Sequence, residues 1–324
     1  MTPGRTLPLI ALALLAFASM ALSLASGSVA LSLSDWQTAL AGNVGTAHDL
    51  IWQLRLPRML AAFAVGALLA AAGALMQVLL RNPLADPYVL GISGGAAVGA
   101  LGAGMLGAAA FGQSAGAVTG AVGSTFLVFG LAHGAGGWTQ SRLLLTGVVV
   151  AAGWGAVVTL MLALVPDQQL RGMLFWLIGD LSAAGPPWQA LVALVVGLAC
   201  AIPLGRELNV LARGEIAAMS LGVETRWLRP VVYLLASFLT AAAVTTAGSV
   251  GFVGLVVPHM VRLAVGNDMR ILLPASALGG ASLVMLADTV ARSLMAPMQL
   301  PVGAITALIG VPVFLYLLSR GSKR

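Results

Sequence analysis

The sequence predicts an all-α polytopic membrane protein of about ten transmembrane helices, and three observations carry that reading. Of its 324 residues 60% are hydrophobic and only 8% charged, where a soluble domain has roughly a quarter of its residues charged. The mean hydropathy is +1.01. Charged residues separate long uncharged stretches at 6–34, 59–80, 87–141, 143–166, 181–205, 230–261, 271–287 and 293–319. These runs lack the strict alternation of a closed β-barrel. At roughly 32 residues per span and loop, the chain accommodates about ten crossings in one domain over residues 1–324.

Taken in order, the first span is expected within 6–34. Its apolar run exceeds the roughly 7–15 residues of a signal-peptide core, and only Arg5 precedes it. The second span follows at 59–80. The stretch 87–141 must hold two, with the break placed at Gly112-Gln113-Ser114 and spans at 88–111 and 115–134. Spans at 143–166 and 181–205 come next. The stretch 230–261 has Arg226 and Arg229 before it and Arg262 and Arg270 after it. Both its ends therefore belong on one side, which takes two crossings. Its rise of roughly 48 Å falls short of the roughly 60 Å that two perpendicular crossings need. A short or broken helix near 248–265 is expected, with the break at Gly248-Ser249-Val250-Gly251; a tilted pair reaching the headgroups is the alternative. Irregular backbone at that depth must be buried in protein or line a watery cavity. The ninth span runs from about Ile271 towards Arg292, and the tenth, at 302–319, follows Pro297-Met298-Gln299-Leu300-Pro301.

Charge then orients the chain. With the N- and C-termini cytoplasmic, Arg5, Arg81, Arg142, Arg206, Arg213, Arg226, Arg229, Arg262, Arg270, Arg320, Lys323 and Arg324 lie inside, and Arg55, Arg58, Arg171 and Arg292 outside. This accounts for the net charge of +6 without nucleic acid. Membrane lipid is the partner the composition demands. The lone Cys200 reads as a small apolar residue. No G-x-x-x-x-G-K-[ST] is present, and the only lysine is Lys323, so any ATP-derived energy must come from another chain. His48 and His133 have no second ligand at metal spacing and read as structural. Small residues recur at Gly91, Gly95, Gly99, Ala103 and Gly107, and at Gly112, Gly116, Gly120 and Ser124. Such ridges predict close helix packing, in preference to a moving seam.

Residues 206–229 hold seven charged side chains in 24 positions. Leu208, Leu211 and Ala212 have helical spacing, Gly214 interrupts, and 216–221 reads as a second short helix closed by Gly222. Two short amphipathic helices projecting into the cytoplasm suit the grip of a soluble partner; a helix lying on anionic lipid is the alternative. Within this segment Arg213-Gly214-Glu215-Ile216-Ala217-Ala218-Met219-Ser220-Leu221-Gly222 resembles the G-E-x-x-A-x-x-L-G element of the FecCD family of ABC importer permeases, which take up iron chelates, haem and cobalamin. Arg55-Leu56-Pro57-Arg58, Gly73-Ala74-Leu75-Met76-Gln77, Asn82-Pro83-Leu84-Ala85-Asp86-Pro87, Gly91-Ile92-Ser93-Gly94-Gly95-Ala96, Gly251-Phe252-Val253-Gly254-Leu255-Val256-Val257-Pro258-His259 and Leu300-Pro301-Val302-Gly303 resemble that family's blocks in the same order.

The resemblance implies ten helices per subunit and a homodimer with the pore between subunits. Two ABC ATPase subunits would carry ATP and Mg, and a periplasmic or surface substrate-binding protein would deliver the cargo. It implies a non-catalytic subunit of the bacterial inner membrane with no cofactor or metal site of its own. ATPase docking would fall to Arg213, Gly214, Glu215, Ala218, Leu221 and Gly222. Binding-protein docking would fall to Arg55, Arg58 and Arg292, although Asp288 one turn before Arg292 can pair with it. Asn82 and Leu84 become gate candidates, and Gly147, Ala151, Gly155 and Thr159 become the small face of a pore-lining helix. An iron(III)-siderophore-type chelate leads as cargo, with haem or cobalamin as the alternative. An ion-driven secondary transporter would want ionisable groups near the midplane, where the sequence has almost none. A scaffold that moves nothing would not need a broken span and small-faced helices.

Overall fold

The computed structural model describes residues 3–27, 29–133, 139–182 and 184–321, with 3–6, 110 and 320–321 described by backbone alone. Lys323, Arg324 and the side chains of Arg5 and Arg320, all assigned to the cytoplasm above, lie outside the described residues. Among the described residues all regular secondary structure is helical, without a strand: α1 (Pro3–Ala25), α2 (Leu33–Leu40), α3 (Thr46–Asp49), a π-turn (Leu50–Arg55) leading into α4 (Leu56–Leu79), a short 3-10 helix (Pro87–Leu90), α5 (Ile92–Met105), α6 (Ala110–Ala132), α7 (Gln140–Leu164), α8 (Asp167–Ile178), α9 (Trp188–Ala201), α10 (Gly205–Leu211), α11 (Glu215–Ser220), α12 (Thr225–Ala247), α13 (Val253–Val265), α14 (Met269–Ser293) and α15 (Val302–Gly321). Among the described residues seven helical runs are long and apolar enough to cross a membrane, α9 with α10 makes an eighth across a 67° bend, and α5 and α13 are apolar but shorter. The expected ten is reached only by counting those two.

α4 is the axis of the molecule, its most apolar stretch 89% buried. It is enclosed by α14, α12, α13 and α9. Small residues make that enclosure possible. A Cβ at Gly66 would lie 2.1 Å from the Gly280 carbonyl of α14, and one at Gly73 only 1.9 Å from the Gly254 carbonyl of α13. In lipid, such backbone contact replaces the hydrophobic drive that water would supply.

Three boundaries differ from the sequence expectation. The break in 87–141 falls at 106–109, because Gly107 at φ +79° supplies the left-handed residue that ends α5, whereas Gly112 lies inside α6. The sixth crossing starts at Trp188 rather than 181, after Pro186 and Pro187, where fixed proline φ suits a helix start. The first span stops at Ala25, and Ser32 with Asp35 forms a reciprocal capping box that starts α2.

The expected broken segment is present, with α12 ending at Ala247 and α13 starting at Val253. Gly248 and Phe252 both have φ +67°. The backbone groups freed at this bend find partners within the protein. The Tyr88 hydroxyl accepts from Val250 N at 3.0 Å and donates to Val250 O at 3.2 Å. Ser93 and Ser249 share a 2.7 Å hydroxyl bond, and Asp180 N donates to Ala247 O at 2.8 Å. That is how a membrane domain tolerates irregular backbone.

Candidate functional site

Four places carry the functional candidates, and the segment of α10 and α11 is the most fully built. Leu208 and Leu211 bury one face of α10. Gly214, at φ +121°, turns the chain into α11, and a side chain there would press on Arg81 Nη1 at 3.2 Å. α11 closes with the paired bonds of a Schellman motif, Val223 N to Ala218 O at 2.9 Å and Gly222 N to Met219 O at 3.0 Å. Ala218 is buried beneath it, while Ile216 (82%), Met219 (55%) and Leu221 (64%) stand exposed. Glu215 anchors the helix from below: Arg229 Nη1, reaching out of α12 from a buried position, donates to both its carboxylate oxygens at 2.9 and 3.0 Å. The motif residues thus separate into those that shape and tether α11 (Gly214, Glu215, Ala218, Gly222) and an apolar face that no described residue covers. Arg213 is exposed beside it.

The turn after α4 carries the gate candidates. Arg81 adopts φ +47°, and Asn82 Oδ1 accepts from Leu84 N at 2.9 Å, a local bond typical of asparagine in tight turns. Asn82 and Leu84 are both exposed. Asp86 accepts from Tyr88 N at 2.8 Å, capping the 3-10 helix. Burial pushes its carboxyl up to about 6, against the pull of the Tyr88 N–H.

On α7 the four-residue row divides. Gly147 packs against the Val89 carbonyl, and Ala151 lies beside Gly91. Gly155 and Thr159 are exposed, and a Cβ at Gly155 would meet nothing within 4 Å. Trp154, on the same helix, donates to Ser124 Oγ at 2.9 Å, which itself donates to Gly91 O at 2.8 Å.

The three arginines at the opposite end lie together around one carboxylate. Asp288 is 0% exposed. Arg58 grips it through Nε and Nη2, the shortest contact 2.8 Å, and Arg292 Nε lies 3.4 Å from its other oxygen. Arg58 also donates to Gln299 Oε1 at 2.6 Å. Arg292 Nη2 donates to Ser23 O and Oγ, and Arg55 donates to the carbonyls of Leu24, Ala25 and Val29. Arg55 and Arg292 are buried by these contacts. Sequence reasoning found the Asp288–Arg292 pair but missed the tighter Arg58–Asp288 pair, whose members lie 230 positions apart. The available signal was one acid among three unmatched arginines.

The histidines sit apart. His48 is 3.5 Å from Asp49, His133 stacks on Phe129 at 5.8 Å, and His259 is half-buried on α13. Among the described residues no three His, Cys, Asp or Glu side chains converge on a metal position.

Comparison with known proteins bears directly on this arrangement. Residues 14–320 match the FecCD transport family. The chain is 45% identical over 278 residues to the cobalamin import system permease protein BtuC of Halobacterium salinarum, covering 84% of this chain and 74% of that protein. It is 40% identical to the hemin transport system permease protein HmuU of Yersinia pestis, across 98% of this chain and 97% of that one. A solved metal-chelate type ABC transporter in an inward-facing conformation superimposes with a TM-score of 0.84 at 33% identity, covering 97% of this chain and 99% of that chain. A family match over nearly the whole length, with the fold agreeing to the same extent, makes the chain a member of the FecCD transport family and the permease subunit of an ABC importer.

Proposed function

We propose that this permease moves a bulky metal chelate of the cobalamin or haem class, drawn through a pore between two copies of the chain in the inner membrane. Support for the cargo comes from the relatives, which are cobalamin and hemin permeases; the iron(III)-siderophore expectation draws no specific support from them. The exposed residues of α7, Gly155 and Thr159, give the pore a small and nearly neutral wall. A large solute slides past such a surface without being held. Uptake of radiolabelled cobalamin, haemin and a ferric siderophore, compared in a strain deleted for this chain and in the complemented strain, tests the reading. Restoration of siderophore uptake alone would overturn it.

The observation that carries the mechanism is the apolar face of α11, uncovered yet rigidly tethered by Glu215 to Arg229. The ATPase subunit, which holds ATP and Mg, grips Ile216, Met219 and Leu221, and its closure moves α11 and α12 as a unit. At the other end, a docked binding protein offers carboxylates to a site with three arginines and one acid, Arg58 being the guanidinium nearest the surface. Coupling then consists of unequal affinities of the two pore states for the two docked partners. Replacing Glu215 and Leu221 together abolishes cargo-stimulated ATPase activity in reconstituted complexes while leaving the permease in the membrane. Retained stimulation would remove α11 from the pathway.

An ion-driven carrier fits the geometry less well. Its best proton-carrying residue, Asp288, is already paired with two arginines.

A further inference from the structure

A cavity of about 750 Å³ opens at the arginine-rich end of the bundle, between the end of α4, the segment after α10, and the α13–α14 turn. Three guanidinium groups line it, Arg81, Arg213 and Arg262, and among the described residues none has an acidic partner. Arg81 spends two of its N–H groups on a neutral amide, the Gln140 Oε1, at 3.0 and 2.7 Å. The one carboxylate in the lining, Asp268, is already taken. Arg270 donates to it at 3.0 and 2.6 Å, and Asn209 Nδ2 at 2.8 Å. The cavity wall is therefore positive without compensation. It also contains Gln77, buried, whose Nε2 donates to Leu255 O at 3.2 Å while its Oε1 has no partner.

We infer that this cavity is an anion site that holds the phosphate of an anionic phospholipid headgroup. Its position selects the lipid among phosphate-bearing ligands. Arg81 follows the last turn of α4, Arg262 lies in the last turn of α13, and Asp268 caps α14, so the guanidinium groups sit level with helix ends, where headgroup phosphates lie. Basic pockets between transmembrane helices on the cytoplasmic side are suited to such headgroups. Met260 and Leu263 are exposed on α13 next to Arg262, an apolar flank against which acyl chains can lie.

The test uses the full chain in nanodiscs of phosphatidylcholine with increasing phosphatidylglycerol, with lipid retained after detergent extraction read by native mass spectrometry. The expected result is preferential retention of phosphatidylglycerol, reduced by about tenfold or more in the Arg81→Gln/Arg262→Gln double variant and partly kept in Arg262→Lys. Helical circular dichroism and a monodisperse elution profile establish that each variant is folded. Millimolar inorganic phosphate is the second arm: failure to displace the lipid supports the headgroup assignment, and displacement without preference for phosphatidylglycerol over phosphatidylcholine overturns it in favour of a free-phosphate site. Equal retention of both lipids, or undiminished retention in the double variant, also overturns it. A variant that loses association with the ATPase subunits while its lipid retention is unchanged would do the same, since the arginines would then serve a partner's acidic side chain.

Discussion

Asp288 shows how much one side chain can organise in a membrane interior. It holds Arg58 of α4 and Arg292 of its own helix, while Arg292 and Arg55 reach the end of α1. Removing the acid leaves two arginines without their counter-charge, an effect of about 3–5 kcal/mol when the group is buried. Asp288→Asn is expected to lower the thermal midpoint far more than Arg58→Gln does, measured by unfolding of the detergent-solubilised chain. Asp86 provides a pH handle of opposite character. Its carboxyl, raised to about 6, binds a proton more readily in the folded chain than in the unfolded one. The stability from this group is fully present below the ordinary aspartate range and fades as pH rises through about 6. Lowering pH from 7.5 to 5 should raise the unfolding midpoint by an increment that Asp86→Asn abolishes; an unchanged increment in the variant would assign the effect to other groups.

Between helices, the α5–α6 pair is the clearest case of sequence writing structure. The two small-residue ridges meet each other backbone to backbone: a Cβ at Gly99 would lie 1.9 Å from the Gly116 carbonyl, and one at Gly120 would lie 2.1 Å from that of Gly95. Gly99→Ala must push the helices apart and destabilise the chain by about 1–3 kcal/mol, whereas Gly153→Ala, with nothing within 4 Å, gains roughly 0.5–1 kcal/mol of helix propensity. Unfolding midpoints that shift the same way would refute the packing account. The broken span was legible because arithmetic forced it: flanking arginines fixed both ends, and length forbade two full crossings. The break between α5 and α6 was misplaced because several glycines compete there, and only one takes the left-handed conformation. The Tyr88 stitch across that distant bend was invisible, since nothing local to Tyr88 or Val250 signals a contact 162 positions away.

For the whole chain, fold class and family were readable from composition, charge placement and block order. What could not be read was which surfaces the chain uses on itself. Half of the α7 row turned inward and half stayed open, because the short 3-10 helix before α5 occupies the space beside Gly147. α7 is only 11% buried over its most apolar stretch, against 89% for the run through α4. Such a surface suits a second copy across a pore. Thr159→Cys in a Cys200→Ser background should therefore cross-link between copies with a bismaleimide in membranes, and an exclusively monomeric product would count against the pore-lining assignment. The tether between Glu215 and Arg229 has a mechanical corollary. α12 runs from Arg229 of that ion pair to the bend at Gly248 over 19 of its 23 residues, a rod of about 28 Å. A few degrees of tilt imposed at its foot by the motor would swing its head by ångströms, and the joint that receives the swing is the one stitched by the Tyr88 phenol together with a serine pair and the Asp180 amide.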